Sequence, residues 1–128
     1  MIWDSNIRFQ REDDIVTDNK MKLQWQDTVV TWLDSWYGAN RHCENLTLGG
    51  LDDWRVPTYG ELIQIIDQDG PPYVYEIFEH LGSVGYWSTK RQGVYPSTEV
   101  ARVVNFGLST WIDISTSSRM NTRCVREK

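Results

Sequence analysis

Residues 49–67 read GGLDDWRVPTYGELIQIID. A glycine pair, an extended Trp-Arg-Val-Pro run and a short apolar segment follow one another without a spacer. Pro57 disfavours helical backbone at Val56, so the chain is expected to stay extended up to Thr58. Thr58 and Glu61 then have the spacing of a capping box, in which each side chain satisfies a bare backbone N–H at the start of a helix. Leu62, Ile65 and Ile66 supply the apolar side of that helix. Asp67-Gln68-Asp69-Gly70-Pro71-Pro72 ends it. Trp54 is expected to plug the space between this helix and the one before it. Arg55 is expected to reach a carboxylate such as Glu61, or bare carbonyls at a helix end. The stretch carries no nucleophile motif, phosphate cradle or metal cluster. Trp54, Arg55, Pro57, Thr58 and Glu61 are therefore assigned to holding the fold.

Upstream, IRFQRED reads as a strand, and Ile15-Val16, Asp18-Asn19-Lys20, then Leu23 and Trp25 read as a hairpin. Asp18 and Asn19 tolerate the turn conformations it needs. Trp32, Trp36, Ala39, Cys43 and Leu46 then recur at helical spacing, which predicts one buried face. Thr31 and Asp34 resemble a capping box and would start that helix, and Gly49-Gly50 would stop it. Downstream, YVYEIFEHLG is expected to hold a helical turn. GYWSTKR, EVARVVNFG, STWIDIS and NTRCVRE then read as strands, with TSSRMNT a polar loop. Strands, two short helices and several antiparallel strands make an α+β layout.

The 128 residues suit one domain, 1–128, with a modest core, which seven tryptophans help to close. A mean hydropathy of −0.52 and the lack of any run of about 18 apolar residues argue against a membrane span. The first residues, MIWDSNIRFQREDD, lack the basic and apolar regions of a signal peptide. The net charge of −5 argues against nucleic acid as the main partner. The charge is polarised. Residues 1–85 hold six Lys/Arg against fifteen Asp/Glu, and residues 86–128 hold seven against three. Either the basic end pairs with the acidic end inside the fold, or it forms a face for an anionic ligand. Cys43 and Cys124 match no zinc or redox spacing. They are two buried thiols or one disulfide.

CENLTLGGLDDWRVPTYGELIQIID resembles the signature of the Lcl C-terminal-domain family, a bacterial family named after the end domain of a collagen-like adhesin. IVTDNKMKLQWQ is similar to its first hairpin, where a Gly often precedes the Leu and Lys22 stands here instead. GYWSTKR, VVNFG and TRCVRE are similar to its closing strands. The resemblance runs from about Phe9 onward. It implies a C-type-lectin-like fold, of the kind also seen in formylglycine-generating enzymes. It also implies a disulfide between the first helix and the last strand, the places of Cys43 and Cys124. Export to the periplasm, the medium or the cell surface follows from that disulfide. Ligand binding is implied as well, and for the namesake adhesin domain, binding of sulfated glycans.

Fold does not transfer function, so the residues are weighed separately. Formylglycine-type chemistry needs reactive cysteines, and a bridge would occupy both. His42 and His80 are the only histidines, and no G-x-S-x-G elbow exists. No catalytic residue is assigned. The Glu-Pro-Asn, Gln-Pro-Asp and Trp-Asn-Asp runs of calcium-dependent lectins are absent, and DQDG at 67–70 lacks the spacing of an EF-hand loop. No metal or cofactor is assigned. A glycan- or protein-binding module remains, with a structural or assembly module of a larger surface protein as the alternative. Lys90, Arg91, Tyr95, Arg102, Asn105, Trp111 and Arg119 are the candidate ligand residues, because exposed aromatics and arginines stack on rings and anchor interfaces. Trp111 could equally be core, and the arginines ordinary surface. Trp87 is expected to be core. If the basic residues converge, they would attract an anionic glycan, and binding would weaken as salt rises.

Overall fold

A computed structural model describes residues 7–29, 32–82 and 84–128. Among these residues seven strands and two helices follow in the order β1 (Phe9–Glu12), β2 (Ile15–Asp18), β3 (Leu23–Gln26), α1 (Trp36–Asn45), α2 (Tyr59–Ile63), β4 (Tyr86–Gln92), β5 (Val100–Asn105), β6 (Thr110–Ser115) and β7 (Val125–Glu127). The strands form two antiparallel sheets, β1-β2-β3-β7 and β4-β5-β6. The chain is α+β.

The hairpin forms as its sequence dictates. Val16 pairs with Trp25, and Asp18 with Leu23. Asp18 is fully buried and holds the turn through the N–H groups of Lys20 and Met21, at 3.0 and 3.2 Å. Lys22 has φ +58°. That left-handed backbone suits glycine best, so Lys22 holds a position where a Gly would be less strained.

α1 departs from expectation at both ends. Its cap is Ser35, whose hydroxyl accepts from the Gly38 N–H at 3.1 Å. Thr31, expected to start it, lies outside the described residues. Trp32 precedes the helix and is 49% exposed, so it is not part of the buried face made by Trp36, Ala39 and Cys43. The helix ends at Asn45. Gly49 and Gly50, both at positive φ, instead turn the chain between the bridged residues Leu48 and Leu51. YVYEIFEHLG forms no helix, only a turn in which the Phe78 N–H reaches the Tyr75 carbonyl at 3.0 Å.

The capping box of α2 is complete. Thr58 Oγ1 accepts from the Glu61 N–H at 3.0 Å, and Glu61 Oε1 accepts from the Thr58 N–H at 2.9 Å. The same carboxylate takes both Arg55 guanidinium branches, at 2.8 and 2.7 Å. Arg55 also bridges β7 through both backbone bonds to Val125. The extended run is thus an extra rung beside the last strand.

Strand alternation divides the core between the two faces of the small sheet. Trp87, Ala101 and Val103 face α1 and join Trp36, Ala39, Cys43, Trp54, Val56 and Cys124. Tyr86, Val104 and Phe106 face the other way and join Leu62, Ile65, Trp25 and Val16. Trp54 is buried among the first group, which contains no α2 residue, so it does not sit between the helices. Its indole N–H donates to the Leu51 carbonyl at 3.0 Å. Trp54→Ala is expected to cost about 3–5 kcal/mol. Arg55→Ala, losing a half-exposed pair, is expected to cost about 1 kcal/mol. Thermal melts of both variants check this, and a Trp54→Ala variant that melts like wild type would refute it.

Cys43 and Cys124 form a disulfide with Cα atoms 5.5 Å apart. It ties α1 to the segment entering β7. One carboxylate organises the other end of that segment. Asp27, fully buried, accepts from Arg123 at 2.7 Å, from Arg11, and from the Glu79 and His80 N–H groups at 2.8 and 3.2 Å. No helix among the described residues is long and apolar enough to cross a membrane.

Candidate functional site

The seven candidate ligand residues do not form one face. β5 and β6 pair Arg102 with Asp113 and Val104 with Trp111, so Arg102, Asp113 and Trp111 project on one side. There the Arg102 guanidinium lies 3.5 Å from the Trp111 ring centroid and 4.9 Å from that of Tyr59, at the start of α2. Both oxygens of Asp113 accept from it, at 2.9 and 3.2 Å. The hydrogen bond from Arg102 holds the Asp113 carboxyl below its ordinary pKa, with a smaller pull from Lys90. Trp111 is 50% exposed. It is a surface ring held by a cation and an edge-on tyrosine, rather than a core residue.

Arg91 and Tyr95 belong to a separate cluster. The Arg91 guanidinium covers the Trp36 ring at 4.5 Å and lies 3.6 Å from Glu99. Glu99, nearly enclosed, accepts from the Tyr37 hydroxyl at 2.6 Å and from Thr116 at 2.9 Å. The Tyr37 bond lowers the pKa of Glu99, and the same bond raises that of Tyr37. Tyr95 packs edge-on against Tyr37. Asn105 is spent on a turn, accepting from the Gly107 N–H at 2.9 Å. Arg119 donates to the Leu33 carbonyl at 3.3 Å.

The basic end is therefore largely compensated inside the fold. Arg91, Arg102, Arg123 and Arg126 each face a carboxylate. Among the described residues Lys90 and Arg119 make no ion pair. The basic residues do not converge on one face, because strand alternation sends neighbours to opposite sides and Arg91, Arg102, Arg123 and Arg126 each meet an acid from another part of the chain.

Two further features escaped the sequence reading. Beside Trp111, an apolar groove is lined by Val84, Val103, Leu108, Ile112 and Met120. Leu108 and Ile112 are 67% and 59% exposed. Runs of alternating apolar residues in STWIDIS signalled a strand, but not that it would be an edge. The second is a cavity of about 200 Å³ lined by Gln26, Thr28, Trp32, His42, Tyr86 and Arg123, among others. Its residues come from five separate stretches, and no local pattern joins them. Among the described residues no His, Cys, Asp or Glu side chains gather as a metal-binding set.

A disulfide from α1 to the segment entering β7, two antiparallel sheets and an aromatic-guanidinium surface define a disulfide-stapled α+β domain with an exposed platform. The chain belongs to the Lcl C-terminal domain family, whose sequence model matches residues 14–126. No curated protein matches it.

Proposed function

We propose that this chain is a non-catalytic, extracytoplasmic ligand-binding domain of C-type-lectin-like architecture, which binds a glycan or protein at the cell surface or in the periplasm. Its disulfide supports an oxidising compartment. The observation that carries ligand binding is the Trp111 ring, half-exposed and pinned between Arg102 and Tyr59. A ring already fixed loses little entropy when a sugar or side chain stacks on it. Because Asp113 neutralises Arg102, stacking rather than charge is expected to dominate. A glycan and protein array probed with the purified domain identifies the ligand. Trp111→Ala is then expected to weaken binding at least about tenfold, the scale of one hot spot, with little change between low and high salt. Binding that ignores Trp111 but collapses with salt would refute this reading.

A second reading, an assembly module, is favoured by one observation. Among the described residues β6 pairs only with β5, and its edge carries exposed Trp111 and Ile112 beside the apolar groove. Uncovered apolar edges are templates for pairing with another chain. Sedimentation over a wide concentration range decides this. A constant monomer mass excludes self-assembly, whereas an oligomer abolished by Ile112→Lys supports it.

A further inference from the structure

The cavity beside α1 is unlike the Trp111 platform and shares no residue with it. Its walls come from the end of β3 and the residues after it (Gln26, Thr28, Val29), from Trp32, from His42 of α1, and from Thr122 and Arg123 ahead of β7, with Tyr86 of β4. At about 200 Å³ it would hold roughly six or seven waters at about 30 Å³ each. That is more than a bridging water needs and enough for one small ring.

Its chemistry is rich in donors. Arg123 is only 3% exposed, and its Nε meets no acceptor among the described residues, although its other two nitrogens bond Asp27 and the carbonyls of Gln26 and His80. The Thr122 hydroxyl is likewise buried without a partner among the described residues. The Tyr86 hydroxyl accepts from the Gly82 N–H at 2.6 Å and from Arg123 at 3.4 Å, which leaves its own proton to donate. Leaving such groups unmatched is unfavourable, so an acceptor supplied by a ligand would recover free energy.

Charge points the same way. Arg11 and Arg123 share the single buried carboxylate of Asp27. The other acid near Arg11, Glu79 at 3.3 Å, is mostly exposed and screened. Arg123, which lines the cavity, is thus only partly neutralised by the carboxylate it shares. The mouth carries a flat apolar wall. The Trp32 indole is half-exposed and stands edge-on to the His42 ring at 5.1 Å. Burial lowers the His42 pKa, so this ring is neutral near pH 7 and adds no charge of its own, although Asp34 opposes the shift. Val29 adds exposed apolar surface beside it.

We propose that this cavity binds a small carboxylate attached to a ring, with the carboxylate accepting from the Arg123, Thr122 and Tyr86 donors and the ring lying against Trp32. The Thr122 hydroxyl, closed to solvent as it stands, turns about χ1 to meet the ligand. That rotation is a rapid side-chain step.

The test uses the whole chain and four probes: benzoate, D-glucuronate, and their neutral counterparts benzamide and D-glucose. Isothermal titration and the indole N–H resonances in 1H–15N spectra report binding. The expected result is saturable binding of at least one acid at millimolar or tighter Kd, with its neutral counterpart at least about tenfold weaker, the scale of one charge-assisted hydrogen bond. Preference between the two acids tells an aromatic ligand from a sugar acid. Thr122→Val removes a hydroxyl that has no partner among the described residues, so folding is spared. Trp32→Ala truncates a surface ring. Each is expected to weaken binding about fivefold or more while leaving Tm near that of wild type. No saturable binding of either acid, equal binding of acid and neutral probe, or binding that ignores both substitutions would overturn the proposal. None of these outcomes bears on the Trp111 platform, whose own test uses a different variant.

Discussion

Asp27→Asn is expected to destabilise the protein by about 3–5 kcal/mol, a fall in Tm of roughly 10–20 °C. Asp27 is fully buried between two guanidiniums, Arg11 and Arg123, and two backbone N–H groups. Asparagine fits the space but removes the charge, and leaves Arg123 enclosed with no counter-ion. Burial by itself would raise the Asp27 pKa. Arg123, Arg11 and the Glu79 N–H outweigh it and hold the pKa below the ordinary value. The sign of the pH dependence follows. A depressed carboxylate contributes its full stabilisation above its unfolded pKa of about 3.9, and loses it as pH falls through the lower folded value. Glu61, lowered by Arg55 and the Thr58 N–H against the opposing effect of burial, acts in the same direction. Melts from pH 7 to pH 2 are therefore expected to fall steeply below about pH 4 in the wild type and less steeply in Asp27→Asn. The double variant Asp27→Leu, Arg123→Met removes both buried charges and is expected to recover much of the loss. A wild-type Tm in Asp27→Asn, or a double variant no better than the single, would show that the pair does not organise this end of the fold.

Reducing the Cys43–Cys124 bond is expected to cost about 4–5 kcal/mol in the chain-entropy account, because the cysteines are 81 residues apart and the bridge restrains most of the unfolded chain. Both sulfurs lie among Trp36, Trp54 and Trp87, so the reduced thiols stay buried and solvent exposure does not compensate the loss. Thiol titration of the unreduced, denatured protein is expected to find no free thiol. Reductant is expected to lower the urea midpoint with m little changed if the native state keeps its packing. Two titratable thiols in protein taken from its own compartment would refute the bond and the extracytoplasmic assignment with it. The double Cys→Ala variant separates the cross-link from the sulfur packing. It is expected to fall below the reduced protein by a further cavity cost of about 1 kcal/mol or more.

Features written over a few residues are legible before any folding is known. The Thr58/Glu61 capping box needs only a spacing of three, and it is present in full. The Asp18 turn and the Val16–Trp25 hairpin need only period-two alternation around a turn former. Trp87, second in β4, is fully buried as expected, although β4 lies at the outside of its three-stranded sheet. The resemblance of the 43–67 stretch carried the family and the disulfide, because the residues that make a fold's turns and bridge keep a readable order. Tertiary structure alone decided the rest. Arg102 and Trp111 looked like part of a basic face until sheet pairing set Asp113 across from Arg102 and α2 brought Tyr59 against the ring. Trp32 has the spacing of a core residue, yet α1 begins after it at Ser35, and the ring becomes the wall of a cavity. Asp27 and Arg123 are 96 residues apart and meet only because β3 and β7 pair. Local patterns fix hydrogen bonds between near neighbours. Which charges cancel, and which rings are left in solvent, depends on how the two sheets and two helices stack, and that stacking is settled by burial summed over the whole chain.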